Sequence, residues 1–435
     1  EQQLVRNQIT ALTGKAVLGP YGDTQAMYEA MMNSGAALAK SLNLSLGMSL
    51  SAEQVAALTR HVVIMQTQIV DGQAVLVPVV YLAQTEQQQM SGPLIAANDI
   101  DLKQAQTFTN SGTVQATRAL TIDATSIDNA FGGLRSDGVM SLTTKGDVDL
   151  SSATVNTGSL TLSAGGDLLL STITSQVSQV STTGATRVST TLGPIASVTV
   201  RGDAAIVTGG NVEQNAGTLN VGGNLGMAIG GNWELGTVQT GERKVVERAN
   251  GVSDTNFNAA TGSAVTVGGV SQIGVGGNLT ATGAALNLNG GGALAAKGDV
   301  TLRAAVTTST LQSNSADSDS SGSYSESKRQ SDDAVIGTTL QSGDSLTIAS
   351  GKNINLAGSG ITLAQGAATL AAAGDINIGE ITETHEFQSR HDGSRSGVVS
   401  GKSTTSTLDM KATQANGSLI SAVFFFFKQK TAYEI

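Results

Sequence analysis

Gly146-Asp147-Val148-Asp149-Leu150 is followed by Gly166-Asp167-Leu168-Leu169-Leu170, and the phrase the two share decides the fold. Gly or another small residue precedes Asp or Asn, and alternating apolar residues follow. The phrase returns as Gly223-Asn224-Leu225, Gly277-Asn278-Leu279-Thr280 and Gly298-Asp299-Val300-Thr301-Leu302. It returns again as Gly343-Asp344-Ser345-Leu346-Thr347-Ile348 and Gly374-Asp375-Ile376-Asn377-Ile378. Copies at 146 and 166, 202 and 223, and 277 and 298 stand 20 or 21 residues apart. A fixed short period marks a solenoid, because one unit cannot bury its own apolar face and must stack on the next. Short strands broken by Gly-Asp and Asn-Gly turns predict an all-β chain wound as a parallel β-helix. The hand of parallel crossovers makes that helix right-handed.

Working outward, the alternation begins near Pro93 and runs through Ile100-Asp101-Leu102, Leu120-Thr121-Ile122, Met140-Ser141-Leu142 and Leu160-Thr161-Leu162. Further turn signals at Asn110-Ser111-Gly112, Asn156-Thr157-Gly158 and Asn215-Ala216-Gly217 give each coil at least two corners. The repeat therefore occupies residues 91–421, and it lapses near 172–198, 238–266, 307–338 and 381–412. These Ser-, Thr-, Asp- and Gly-rich lapses are expected to leave the solenoid wall as long strands, hairpins or mobile loops, and to be the protease-sensitive parts. Without them roughly a dozen coils remain, a shaft on the order of 60 Å at ~4.8 Å per stacked strand.

Residues 1–90 lack the repeat and read as a small α+β inset. One helix spans 2–12 and stops at Gly14, and Asp23 caps a second over 24–42. Ser51 and Gln54 form a capping box for a third helix presenting Val55, Leu58, Val62 and Met65, with Leu50 and Val55 as its staple. The runs at 68–70 and 74–77 around Asp71-Gly72 then read as a hairpin. At the other end, 422–435 begins with Phe424-Phe425-Phe426-Phe427 and matches nothing before it. It reads as the translation of a T-run followed by a sequencing adapter, and is set aside from fold reasoning. Glu1 reads as a cut inside a longer protein.

Composition narrows the function classes. Charged residues are 13% and aromatics 3%, with 53 Gly and 4 Pro, which suits narrow aliphatic ladders better than a large enzyme core. A net charge of −10 disfavours nucleic acid and anionic lipid as partners. The longest apolar run, 74–83, is about half a bilayer span, so no membrane-spanning segment is expected. Cys is absent, so stability is expected to come from stacking rather than from disulfides.

Two blocks of sequence resemble a known family. The first comprises Glu1-Gln2-Gln3-Leu4-Val5-Arg6-Asn7-Gln8-Ile9, Leu50-Ser51-Ala52-Glu53-Gln54-Val55 and Val75-Leu76-Val77-Pro78-Val79-Val80-Tyr81. The second comprises Gly374-Asp375-Ile376-Asn377-Ile378, Thr382-Glu383-Thr384-His385-Glu386 and the stretch 397–405. Together with the coils between them they resemble the filamentous haemagglutinins and contact-dependent growth-inhibition effectors of Gram-negative two-partner secretion. The resemblance implies a secreted, surface-displayed shaft that mediates adhesion or presents a binding or toxic region to other cells. The stalk of a contact-dependent toxin is the alternative, and a β-helix polysaccharide enzyme a further one. It also implies an outer-membrane barrel transporter and a cell-surface receptor, host or bacterial, as partners. The secretion domain and terminal toxin of such proteins have no counterpart in these residues.

Chemistry-bearing residues are few. The three histidines, His61, His385 and His391, give no nucleophile–base set. His385 with Glu383, Glu386 and His391 lacks metal-ligand spacing and reads as a solvated excursion. Asp147, Asp149 and Asp167 recur on neighbouring coils as polysaccharide-cleaving carboxylates would, but the first Asp of each phrase sits where a turn needs a side chain that bonds its own backbone. The pairs Gly222-Gly223 and Gly230-Gly231 carry Asn224 and Asn232 where a calcium repeat carries Asp. No catalytic, metal or cofactor site is therefore expected. Arg201-Gly202-Asp203 is the one adhesion candidate, an integrin-type tripeptide of the kind some adhesins of the family carry.

Overall fold

The computed structural model describes residues 2–13, 17–18, 21, 23–42, 44–50, 54–55, 58–70, 73–83, 94–182 and 184–428. Strand makes up 68% and helix 7%, an all-β chain with parallel stacking. Two compact units form, Glu1–Ile95 and Ala96–Ile435.

In the first unit, helix α1 (Gln2–Thr13) precedes α2 (Thr24–Ser41). Asp23 caps α2, its Oδ1 accepting the Ala26 N–H at 2.8 Å. Strands β1 (Val62–Val70) and β2 (Gln73–Tyr81) pair antiparallel. Val5 and Ile9 of α1, Met27 and Met31 of α2, and Val63 and Val80 of the hairpin share one buried cluster. The expected third helix is corrected at its far end. Gln54 and Val55 are helical, but Val62 and Met65 lie in β1, because Val62-Val63-Ile64 is a buried β-branched run whose backbone pairs with β2. Gly14, the cap at Ser51 and the turn at Asp71-Gly72 lie outside the described residues.

The second unit is a solenoid with three parallel faces. On the first face 113–116, 133–136, 154–157, 197–200, 218–221, 264–267, 285–288, 339–342 and 360–363 stack in register. The second face stacks 119–124, 139–144, 159–164, 204–208, 225–229, 271–275, 292–296, 346–350 and 368–372. The third stacks 127–128, 148–149, 168–169, 212–215, 233–236, 279–282, 300–303, 354–357 and 376–379. Like residues therefore meet inside. Ile122, Leu142, Leu162, Ile206, Met227, Ile273, Leu294, Ile348 and Leu370 form one buried column. The first strand, Leu94–Thr109, stacks on the strand that follows it. Backbone pairing continues through Leu419–Lys428, which lies on 360–372 and reaches into the stretch set aside in the sequence.

The lapses of the repeat contain hairpins, and the hairpins pair with one another. Thr174–Val180 with Thr186–Leu192, 237–248 with Gly251–Gly262, Ala305–Asp319 with Gly322–Ile336, and 380–396 with Gly401–Gly417 each fold back antiparallel. Neighbouring hairpins are joined where Thr186 faces Val245, Gly251 faces Ser315 and Gly322 faces Arg395. One continuous antiparallel sheet results, a wing beside the solenoid. This corrects the premise behind the expected protease sensitivity: the excursion backbone does not join the solenoid ladders, but it joins its own. Hairpins leave every second coil, and two coils rise about 9.6 Å, the width of two paired strands at ~4.8 Å each. Coil spacing and hairpin spacing match, so each new hairpin arrives beside the last. Their second arms lengthen along the chain, from 7 to 12, 15 and 17 residues.

Candidate functional site: the corner ladder and the wing

The Asp or Asn of most copies of the repeated phrase sits at the corner between the second and third faces, and Asn224 and Asp344 sit at the corner before it. From Asp147 to Asn353 the side chain at the later corner reaches the next coil rather than its own turn, whereas Asp344 Oδ1 accepts the Ser345 N–H at 2.6 Å. Asp147 Oδ1 accepts the Asp167 N–H at 2.8 Å, and Asp167 Oδ1 accepts the Asn211 N–H at 2.6 Å. The chain of bonds continues from Asn211 to Asn232, Asn278, Asp299, Asn353 and Asp375, each 2.8–2.9 Å long. The sequence separations along it are 20, 44, 21, 46, 21, 54 and 22 residues, long steps marking coils that carry a hairpin. A second, shorter ladder at the preceding corner runs from Asp203 to Asn224 and on to the Val270 N–H.

The Gly before most ladder Asx residues, Asn353 with Lys352 before it excepted, has a steric cause. A methyl group at Gly298 would sit 2.0 Å from Asn278 Oδ1, and one at Gly210 would sit 2.1 Å from Asp167 Oδ1. Gly vacates the space that the previous coil's side chain fills. Inward Ser and Thr complete the corners in a way the sequence reading missed. Thr144 Oγ1 donates to the Gly146 carbonyl at 2.8 Å and Ser350 Oγ to the Asn353 carbonyl at 2.9 Å. The signal was there: a small hydroxyl two or three residues before the Asx, at an inward position of the alternation.

These bonds place most of the candidate residues. The Asp147 and Asp167 carboxylates are held in the ladder, and Asp149 Oδ1 accepts the Ser151 N–H at 2.8 Å. Asn224 and Asn232, at the calcium-like Gly-Gly phrases, are ladder members as well. In Arg201-Gly202-Asp203, the Arg201 guanidinium donates to the Asp137 carbonyl and Asp203 Oδ1 accepts the Asn224 N–H at 2.7 Å. Asp203 thus engages the next coil and Arg201 a coil two steps back.

His61 is buried at the start of β1, and its Nδ1 accepts the Ala83 N–H at 3.1 Å. His385 lies in the wing with Nδ1 3.1 Å from Asp332 and Nε2 3.3 Å from Glu383. Strand alternation turns Glu386 to the other face, where it takes Lys411 Nζ at 2.6 Å. Among the described residues, no group of three or more His, Cys, Asp or Glu is placed to hold a metal ion. No described helix is long and apolar enough to cross a membrane.

One wing face carries a polar row across its later strands. The row Asp254, Gln312, Arg329, Gln388 and Asp409 crosses five strands and lines a shallow groove with Arg390. Two ion pairs join neighbouring strands and a third lies within one. The Arg187 guanidinium holds the Glu242 carboxyl below its ordinary range and Arg243 does the same to Asp254 across strands, while Arg390 does so to Asp392 along its own strand. All are solvent-exposed and each contributes little alone.

A three-faced solenoid with an Asx ladder and excursions in every second coil can be compared with known proteins. A haemagglutinin-repeat signature matches residues 95–152, 140–172 and 179–228. A second hemagglutinin-repeat signature matches 247–322 and 318–422. The chain belongs to the haemagglutinin-repeat family. Proteins of this family, of the filamentous haemagglutinin and contact-dependent inhibition type, are secreted and displayed on the surface of Gram-negative bacteria. The haemagglutinin-repeat chain is 60% identical over 97% of its length to the tRNA nuclease CdiA-2 of Burkholderia pseudomallei strain 1026b, covering 14% of that protein. It is 38% identical over 66% of its length to the toxin CdiA of Yersinia pestis, covering 9% of that protein. It is 30% identical over 97% of its length to the deoxyribonuclease CdiA of Dickeya dadantii strain 3937, covering 13% of it. No solved structure matches. These residues are a segment of the repeat shaft of a large secreted exoprotein.

Proposed function

We propose that this shaft segment presents the toxic region of a contact-dependent inhibition protein away from the producing cell and performs no catalysis itself. One observation carries the reading. A tRNA nuclease, a toxin and a deoxyribonuclease share this segment, so the segment is indifferent to the activity named for each relative. Of the carboxylates that a β-helix polysaccharide enzyme would use, Asp147 and Asp167 are held in the corner ladder and Asp149 against its own turn at Ser151. Adhesion through the shaft, with Arg201, Gly202 and Asp203 as its contact, is the second reading. Its Asp203 carboxylate already gives one oxygen to the Asn224 N–H.

The partners follow from the family: an outer-membrane barrel transporter for export and a receptor on the target cell. A chain without Cys suits passage through an oxidising periplasm in an extended state, because no disulfide loop can close before export. The test is exchange. The segment is placed in a full-length inhibition protein ahead of two unrelated terminal toxins, and killing of susceptible neighbours is measured with each. Killing by both, each blocked only by the immunity factor of its own toxin, is the expected result. Nucleic-acid or polysaccharide cleavage by the purified segment alone would overturn the reading.

A further inference from the structure

We propose that Asn289 is a self-modification site: it loses its side-chain amide to attack by the backbone nitrogen of Gly290, and the product loosens one corner of the solenoid. Three observations lead there.

The corner at 288–292 is built unlike the one it stacks on. One coil earlier the Gly268 N–H goes to the Val221 carbonyl at 2.8 Å, the Gly269 N–H to the Gly223 carbonyl at 2.8 Å and the Val270 N–H to Asn224 Oδ1 at 2.9 Å. Asn289 keeps to that pattern, donating to the Val267 carbonyl at 2.9 Å. The next two residues leave it. Gly291 donates back to the Leu288 carbonyl at 2.9 Å, which closes Leu288-Asn289-Gly290-Gly291 as a tight turn with Asn289 and Gly290 at its centre. Gly291 and Gly292 follow at φ 69° and 130°, conformations that Gly takes readily.

Both reacting groups are free. Among the described residues no acceptor takes the Gly290 N–H, and no partner holds the Asn289 amide, which is exposed. The Asn residues of the corner ladder are engaged by contrast, Asn278 by the Asp299 N–H and Asn353 by the Asp375 N–H.

The chain has three Asn-Gly pairs, the dipeptide in which no Cβ on the second residue hinders the approach of its nitrogen. The other two are tied down. Gly251 pairs with Arg248 and with Ser315. Gly417 pairs with Glu380, and Asn416 Nδ2 donates to Glu383 at 3.1 Å.

The Gly290 nitrogen gives its proton to hydroxide and attacks Asn289 Cγ. The new N–Cγ bond closes a five-membered succinimide as the Cγ–Nδ2 bond breaks and ammonia leaves. Water then opens the ring at Cγ to give aspartate, or at the backbone carbonyl to give isoaspartate, with one more carbon in the main chain. The longer chain has no room. A methyl group at Gly290 would already sit 2.3 Å from the Gly269 carbonyl oxygen, and one at Gly291 would sit 2.5 Å from that of Ser345. Position 289 also lies against Gly343, next to Asp344 of the following coil, so the product adds a carboxylate beside an existing one.

The test ages the whole folded chain in mildly alkaline buffer and maps the three Asn-Gly pairs by mass spectrometry and isoaspartyl methylation. Asn289 should convert on the order of tenfold faster than Asn250 and Asn416, whose glycines must first leave a ladder. In urea the three should convert at similar rates, because the fold alone separates them. The native rate should rise with pH, and Asn289→Gln should stay intact. Hydrogen exchange in the aged chain should quicken at 285–296 and 339–350 but not at 204–229. Conversion at 289 no faster than at 250 or 416, the same ranking in urea, or unchanged exchange around the converted corner each overturns the proposal.

Discussion

Leu142 in the solenoid and Leu408 in the wing both sit within long paired strands, yet the first is fully buried and the second 49% exposed. The two regions satisfy their backbones equally and differ in what lies behind the backbone. In the solenoid each inward side chain stacks on its counterpart one coil away, so hydrophobic burial and ladder bonds act together. In the wing a single layer of strands leaves two faces open to water. Backbone pairing, cross-strand polar contacts and the anchorage of each hairpin to its coil do the holding. The solenoid is the stable element, and the wing depends on it.

The largest effect should therefore separate Leu142 from Leu408. Leu142→Ala opens a cavity in a packed column and should cost about 2–5 kcal/mol. Leu408→Ala should stay within about 0.5 kcal/mol. Chemical denaturation of each variant reads the difference directly, and equal losses would erase the distinction between the regions. Trp233, the largest fully buried side chain, belongs with Leu142.

A smaller effect sharpens the account of the corners. Asn278→Ala removes one ladder acceptor and should cost about 0.5–1.5 kcal/mol. Gly298→Ala drives a methyl into Asn278 Oδ1 and should cost about 1–3 kcal/mol. Made together, the two should cost less than their sum, because the first clears space that the second needs. Strict additivity would mean that the Gly and the Asx of the phrase are not sterically linked. Gly417 in the wing is the control: a methyl there meets nothing within 4 Å, and Gly417→Ala should be near neutral.

That linkage marks what could be seen in the sequence and what could not. The period, the inward columns and the Asx corners repeat within 20–22 residues along plain coils, so local pattern carried them. The receiving end of each Asx bond is a backbone N–H, which leaves no mark in the sequence; hence the reading of a side chain bonding its own turn. The wing was hidden for a different reason. Its joins link residues as distant as Ser323 and Ser394, 71 apart, and its Ser- and Thr-rich strands have two wet faces, so no apolar alternation announces them. At Val62 and Met65 a spacing of three suits a helix, while the unbroken β-branched run suits a strand; pairing with β2 decided it.

Proteolysis ranks next. Wing arms are paired, so cleavage should start at the tips, above all at Val398 and Val399 in the turn of the fourth hairpin, where exposure is essentially complete. Thermolysin digestion followed by mass spectrometry should find that cut before any within 140–170. First cuts spread through the wing arms would mean that the antiparallel sheet does not hold in solution.

The smallest effect should come from pH, and it should fall on the wing. Glu242, Asp254, Glu326 and Asp392 are held below the ordinary carboxylate range chiefly by hydrogen bonds from Arg187, Arg243, Lys328 and Arg390, and Asp319 by the hydroxyl and N–H of Ser321 and the N–H of Gly322. A depressed folded pKa means that the unfolded hairpin takes up its proton first as pH falls. The stabilisation is therefore complete above the ordinary carboxylate range and is lost as pH drops through the lowered values. These groups are exposed and their partners are screened by salt, so each contributes little. Hydrogen exchange, corrected for intrinsic rates, should show the wing losing protection as pH falls below the ordinary carboxylate range while the buried columns keep theirs. Molar salt should shrink the change. Simultaneous loss from wing and solenoid would show instead that the two regions open as one cooperative unit, and the contrast between them would hold for packing but not for stability.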